Sequence, residues 1–326
     1  MSQPWYDDVD VDVDVDVGSG TSVAVRRDVP RVVVFGDVID DIVVHPHRGI
    51  RIGTHTAASI RRRPGGSAAN VSAWLGSAGM EVDFVGRVGA VDRHRYERHL
   101  TDHGVRAHLI ADETRPTGTI IDILNEPSGR STLVERGANR VLTPNDVPDA
   151  LLQGASALFF TGYSVFSGQH DPVGTVSDFQ ELLARCRLLG VSVVVDPGSV
   201  GFLEDFGTDP FLQAVRGASV MLPNLTEGRL LTGLSDPLDV AEKLAESFSV
   251  VALTLGPDGV VIATGGAPAV IVPVTRLERA GTIGVGDAFS AGFLAAWLTG
   301  EAGTSAAEFG ARLAARAIAV DGGRPA

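Results

Sequence analysis

The sequence predicts an α/β protein whose core is a doubly wound, mainly parallel sheet flanked by helices. Three observations carry this. From about residue 150 onward, short apolar strands alternate with helical stretches at the spacing of βαβ units. SALFFTG precedes a helix near 173–189, VSVVVD a helix near 208–217, and SVMLPN helices over 226–233 and 237–247, before the strands VVALTLG and GVVIAT. Earlier, Arg31 to Asp37 (RVVVFGD) is a β-branched apolar run ending in glycine and aspartate, as a strand buried on both faces requires. Finally, two glycine-rich turns run straight into helices of small and apolar residues, GGSAANVSAWLGSAG at 65–79 and GTIGVGDAFSAGFLAAWL at 281–298.

Taken in order, the chain opens with alternating Asp and Val followed by GSGTS. Paired as a strand, this would set a row of like charges on one face, so residues 1–29 read as a disordered acidic tail and 30–326 as the folded domain. The aspartates lack the glycine and terminal glutamate of an EF-hand loop and do not read as a calcium site. Asp37, Asp40 and Asp41 follow the first strand, at the carboxyl edge where open α/β sheets gather ligands; holding a polar ligand and solvating the loop are both open to them. IVVHPHRGIRIGTHTAAS alternates weakly and reads as strands outside the main sheet. Arg61, Arg62 and Arg63 read as a charge run facing water. Gly65 and Gly66 permit close backbone approach, Asn70 is a polar residue early in an apolar helix, and Gly79 ends that helix.

VDFVGRVG is the next strand. His99 and His103 lie at i, i+4 in the helix after it, a chelating spacing without an evident carboxylate partner, so a solvated face is expected. GTIIDIL and STLVER flank NEPSGR as a hairpin. GANRVLTPNDV then opens a helix. The later strands end at Gly162, Asp196, Asn224 and Gly256, all expected on one edge of the sheet, and that edge is the predicted active site.

Composition excludes several classes. At 326 residues and 44% hydrophobic, the chain can bury a substantial core. A net charge of −13 argues against a nucleic-acid partner, although six of the acidic charges lie between Asp7 and Asp16 and the body is only mildly acidic. Cys186 is the single cysteine, so neither a disulfide framework nor a cysteine zinc site is available. With no basic-then-apolar leader and no run of about 18 apolar residues, a soluble cytoplasmic protein with no membrane partner is expected.

In the second glycine turn, Gly284 and Gly286 free the backbone and a helix is predicted from near Asp287. Unpaired N–H groups and the positive end of the helix dipole make such a start an anion site. Asp287 reads either as the helix cap or as a base beside a bound phosphate. Lys243 is the only lysine and lies in an amphipathic helix, which excludes a Walker A loop and the protein-kinase strand lysine. Phe289 occupies the place of the third glycine of G-x-G-x-x-G. Any phosphate bound here depends on backbone N–H groups and a metal.

With both turns in place, the chain from about Val32 onward resembles the ribokinase-like (PfkB) carbohydrate kinases. GGSAANVSAWLGSAG is similar to the family's N-terminal signature and GTIGVGDAFSAGF to its C-terminal one; VGRVGAVD, Gly137–Asn139, Asn224–Glu227 (N-x-x-E) and Thr254–Gly259 are similar to the motifs between them. The resemblance implies a ribokinase-like fold with a small β lid built from segments near 43–60 and 107–135, and an ATP-dependent kinase acting on a sugar hydroxyl, with a nucleoside kinase and a catalytically silent sugar-binding regulator as alternatives. Under it, Asp287 is the general base, and Gly284, Val285, Gly286 and Asp287 form the anion hole for the γ-phosphate. Asn224 and Glu227 hold Mg²⁺ through water, while Asn224, Thr254, Gly256 and Gly259 line the nucleotide. Asp41, Gly65, Gly66 and Asn70 hold the acceptor, and Tyr163, where ribokinases carry a sugar-binding glutamate, packs against a sugar or nucleobase. Ser67 replaces a lysine typical of ribokinases, and VDPGS lacks the D-P-N-x-R form of fructokinases and ketodeoxygluconate kinases, so ribose itself is not implied. Gly281 and Ile283 depart from the C-terminal signature, which bears on a monovalent-cation (K⁺) site near that loop and leaves the anion hole intact. The lid hairpins offer edges for a possible homodimer.

Overall fold

The structure is a computed structural model that describes residues 29–125, 129–168, 172–274, 284–320 and 322–325. The acidic tail up to residue 28, the tip of the NEPSGR hairpin and positions Gly281 and Ile283 lie outside the described residues.

The buried run after Val29 forms β1 (Arg31–Phe35). β2 (Ile39–Pro46) and β3 (Ala58–Gly65) leave the main sheet before α1 (Ser67–Ser77) returns to it. β4 (Glu81–Gly89), α2 (Arg93–Thr101) and β5 (Val105–Asp112) follow, then the hairpin of β6 (Thr117–Asn125) and β7 (Gly129–Gly137). GANRVLTPNDV forms short helical turns rather than a full helix, and leads to the single turn α3 (Asp149–Leu152). Beyond it run β8 (Ala157–Thr161), α4 (Gly162–Val165), α5 (Pro172–Leu188), β9 (Ser192–Asp196), α6 (Val200–Phe206) and α7 (Thr208–Ala214). β10 (Val220–Met221), α8 (Leu225–Thr232), α9 (Pro237–Ala245) and β11 (Val250–Thr254) continue the alternation, before β12 (Val260–Thr264) and β13 (Val270–Val272). α10 (Val285–Leu298) and α11 (Gly303–Ala319) close the fold.

The large sheet has nine strands in the order β13-β12-β11-β10-β9-β8-β1-β4-β5. β12 and β13 are antiparallel and the others parallel, which puts the carboxyl ends of β8, β9, β10 and β11 on one edge, as their terminal polar residues predict. Side chains on β1 alternate between two cores. Val32 and Val34 pack with α1, α10 and α11, whereas Val33 and Phe35 pack with α5, α7 and α9. Both faces are therefore apolar, and each fully buried Val or Phe contributes about 1.5–3 kcal/mol.

The smaller sheet has the order β3-β2-β6-β7, with β2 and β6 parallel and two antiparallel outer pairs. The segment expected as lid over 107–135 is thus divided. Its first part, β5, completes the edge of the large sheet beside β4, and only β6 and β7 join β2 and β3. VRAHLIAD alternates much like a lid strand, and only its tertiary partner distinguishes the two.

Candidate active site

At the carboxyl edge, one cavity of about 710 Å³ brings together Asp41, Gly66, Asn70, Tyr163, Asn224, Glu227, Thr254, Gly284, Gly286 and Asp287. Four sequence-predicted positions lie off its lining. Gly65 serves its neighbour instead, because a Cβ there would stand 2.1 Å from the Asp41 carboxylate. Gly259, at φ +115°, packs against β13, where a Cβ on it would stand 2.5 Å from the Val272 carbonyl oxygen. Gly256 forms the turn after β11, and Val285 is the first residue of α10.

The glycine turn positions Asp287. Gly284 takes a left-handed φ of +77°, and a Cβ on it would meet Gly323 at 2.4 Å. α10 starts at Val285, two residues earlier than the sequence suggests, so Asp287 lies inside the first turn and makes no capping bond. Its carboxylate turns across to α1, where Oδ1 accepts from the Ser67 hydroxyl at 2.6 Å and Oδ2 from the Asn70 amide at 2.9 Å. That removes the capping role. Burial, together with the carboxylates of Asp196 and Asp37, raises the acid to about 7 in spite of the Ser67 and Asn70 bonds. A carboxyl near neutrality can both accept and release a proton at physiological pH.

The adjacent residues of β2 take opposite roles because a strand alternates its faces. Asp40 accepts bonds from Arg95, Arg62 and Tyr96; burial alone would raise it, but these partners hold it at about 2. Arg62 is therefore paired rather than only facing water. Asp41 faces the cavity, and burial and the Asp122 carboxylate raise it to about 7 against the pull of Arg324. Asp37 accepts from the Ser67 and Ala68 N–H groups at 3.0 and 3.2 Å, fixing the start of α1. His99 and His103 are half-buried, not fully solvated, and burial lowers both.

On the other side of the cavity, Asn224 caps α8. Its Oδ1 accepts the Glu227 N–H and Glu227 Oε2 accepts the Asn224 N–H, each at 2.9 Å. This reciprocal capping box stabilises the helix by itself. It also brings the Glu227 carboxylate into the cavity near Asp196, whose Oδ2 accepts from Ser290 and whose Oδ1 accepts from the Gly198 N–H. Burial pushes both acids upward, and the Glu227 carboxylate adds to the rise of Asp196. Paired oxygen donors of this kind suit a hydrated Mg²⁺, which keeps several of its waters. Among the described residues, no three His, Cys, Asp or Glu side chains converge as a direct metal cage.

Tyr163 donates its hydroxyl to the Gly198 carbonyl at 2.9 Å, and its ring meets Phe202 edge-on at 5.7 Å. Sequence reasoning did not single out Arg136, which lines the same cavity and donates to the Tyr163 carbonyl, nor Arg324, nor Asp196 as a site residue. Asp196 ends the strand VVVD at the predicted edge, and that signal was available. Nothing local marks the two arginines, which reach the site only through contacts distant in sequence.

The profile of the pfkB family carbohydrate kinases matches residues 29–326. The bifunctional protein HldE of Shewanella amazonensis is 29% identical over 269 residues, covering 79% of this chain and 53% of that protein, so the chain spans about half its length. The ribokinase of Bacillus subtilis is 26% identical over 301 residues, covering 90% of this chain and 96% of that one. The adenosine kinase structure from Sinorhizobium meliloti superposes with a TM-score of 0.78 at 22% identity, over 91% of this chain and 96% of that chain, which shows a shared ribokinase-like fold. Among the described residues, no helix is long and apolar enough to cross a membrane.

Proposed function

The chain belongs to the pfkB family of carbohydrate kinases, and on that premise we propose that it transfers the γ-phosphate of ATP to a hydroxyl of a free sugar, with Asp287 as general base. The observation that carries the reading is a near-neutral carboxyl in the first turn of α10, in one cavity with Asp41 and Asn70 on one side and Asn224, Glu227 and Thr254 on the other. Asp41, Gly66 and Asn70 seat the acceptor so that one hydroxyl points at Asp287. As that oxygen bonds to the γ-phosphorus, its proton passes to the Asp287 carboxylate and the bond to the bridging oxygen breaks, releasing ADP. The N–H groups at 284–287 receive the charge on the transferring phosphoryl oxygens. Asn224 and Glu227 would hold Mg²⁺ through water, which neutralises the polyphosphate in the absence of a lysine. Thr254, with Gly256 and Gly259 in the following turn, flanks the nucleotide. The small sheet closes over the acceptor and excludes water, and its exposed Ile60 and Leu133 are where two copies would pair as a homodimer.

A nucleoside acceptor is the second reading, favoured by the Tyr163 and Phe202 rings on the cavity wall. Phosphate transfer from Mg-ATP to a panel of pentoses, hexoses, ketodeoxy acids, phosphosugars and nucleosides separates the two. Turnover confined to nucleosides would overturn the sugar reading, and ligand binding without turnover would make the protein a regulator.

Two variants test the donor side. Glu227→Gln retains an oxygen to accept the Asn224 N–H and loses the charge. It should keep or raise its melting temperature at neutral to alkaline pH while Mg-ADP affinity falls about tenfold by calorimetric titration; unchanged affinity removes Glu227 from the metal site. Gly286→Ala meets nothing within 4 Å. It should fold normally and still lose roughly tenfold or more in kcat/KM, because the added methyl stands where the phosphate approaches. Wild-type kinetics would place the phosphate elsewhere.

A further inference from the structure

The last described turn of the chain reaches the catalytic side chains from behind. Arg324 is buried, and its Nε donates to Asn70 Oδ1 at 3.1 Å while Nη2 donates to the Gly65 carbonyl at 2.9 Å. Next to it, Gly323 accepts from the Trp74 indole at 3.0 Å, and a Cβ on Gly323 would stand 2.4 Å from the Asn70 amide nitrogen. Gly284 packs on the same glycine. The turn therefore touches α1, the glycine approach to Asp41 and the turn that starts α10.

The chemistry of these groups leaves Asn70 one orientation. A guanidinium only donates, so the amide oxygen must face Arg324; an ionised carboxylate only accepts, so the amide nitrogen must face Asp287. Reversing the amide would break both bonds.

We propose that Arg324 is a positioning residue of the transfer reaction, which fixes the Asn70 amide and through it the orientation and proton affinity of Asp287. The inference rests on reading Asp287 as the base. Arg324 does not line the acceptor cavity; its hydrogen bonds reach the site through Asn70 and Gly65, and its charge also acts through space on Asp41 and Asp287. The charged and titratable groups facing the pair are Asp37, Asp41, Asp196, Tyr96, Tyr163, His99 and His103. Arg324 is the cation among them whose hydrogen bond leads through one side chain to the base. Its Nη1 is buried without a partner among the described residues, so its charge is not consumed by a close ion pair there.

The test compares Arg324→Gln, Arg324→Lys, Asn70→Ala and the Asn70→Ala/Arg324→Gln pair in the full chain. Two readouts are used: the pH profile of kcat, and the titration of the Asp287 carboxyl by carbon-13 NMR, assigned with Asp287→Asn. Arg324→Gln should move the acid limb and the carboxyl titration upward by about one pH unit, because the donor to the carboxylate is no longer held. It should lower kcat at neutral pH roughly tenfold and leave KM for Mg-ATP within about twofold. In the Asn70→Ala background it should cost little more, because the path runs through Asn70. Losses that multiply in the double variant, or an unmoved titration, would overturn the proposal. If Arg324→Gln does not fold, Arg324→Lys, which keeps the charge and loses the fork, is read in the same way. A wild-type protein that phosphorylates no acceptor defeats the kinase reading, whereas the carbon-13 titration still decides whether Arg324 controls Asp287.

Discussion

Replacing Asp287 by Asn should all but abolish phosphate transfer, lowering kcat by about 10²–10⁴, while acceptor and Mg-ATP still bind. Asparagine is nearly isosteric and can bond Ser67 and Asn70 once its amide is turned, so the cavity keeps its shape and loses only the proton acceptor. The same substitution stabilises the fold at alkaline pH. Burial raises the Asp287 carboxyl from 3.8 to about 7, so ionising it in the folded state costs more than ionising it in the unfolded chain. Removing that charge removes the cost. Activity and stability therefore move in opposite directions, and thermal unfolding at pH 8 with single-turnover transfer assays reads both. A variant that keeps turnover, or loses it together with ligand binding, contradicts the base assignment.

Stability should fall as pH rises from about 5 to 8. Asp41 and Asp287 both lie at about 7 in the folded protein against 3.8 in the unfolded chain, and Asp196 and Glu227 are pushed in the same direction. Between about pH 4 and 7 the folded state then holds more protons than the unfolded one, so unfolding becomes easier as pH increases. The stabilising contribution of these acids is complete below the unfolded value and is lost as pH passes through the folded one. Asp40 works in the opposite sense. Held at about 2 by Arg95, Arg62 and Tyr96, it stabilises above 3.8 and loses that effect as pH falls through 2. The maximum should accordingly lie near pH 4–5, with the melting temperature lower at pH 8 by on the order of 5–10 °C. Asp41→Asn and Asp287→Asn should each flatten the slope. A melting temperature that rises from pH 5 to 8 would mean that the cavity acids are ionised at little cost.

Much of the fold was legible because its signals are local. Strands such as VVVF and ALFFT are continuous apolar runs, and the glycines before α1 and α10 mark turns that no other residue could make. Parallel pairing then brings the ends of β8 to β11 to one edge, where the glycine turn into α10 also lies, which is why Asn224, Thr254 and Asp287 share a cavity although they are far apart in sequence. The family resemblance supplied roles that the residues alone left open, above all for Asp287, where the local pattern allowed a cap as readily as a base. Contacts between distant segments could not be read. β5 and β6 look alike as alternating strands and belong to different sheets. Asp40 and Asp41 are neighbours of one type, and only the strand's facing commits one to an ion network and the other to the cavity. Arg324 stands 254 positions from Asn70, in a turn whose sequence resembles any exposed loop. Arg136 likewise meets Tyr163 only through the approach of the small sheet to the large one.

The most direct measurement of the central claim is a phosphorus-31 NMR spectrum of the protein incubated with Mg-ATP and each acceptor in turn, run beside Asp287→Asn. The account predicts a new phosphomonoester resonance and stoichiometric ADP with at least one sugar for the wild-type protein, and neither for the variant. The same phosphomonoester from Asp287→Asn, or ADP accompanied only by inorganic phosphate in the wild type, would contradict it.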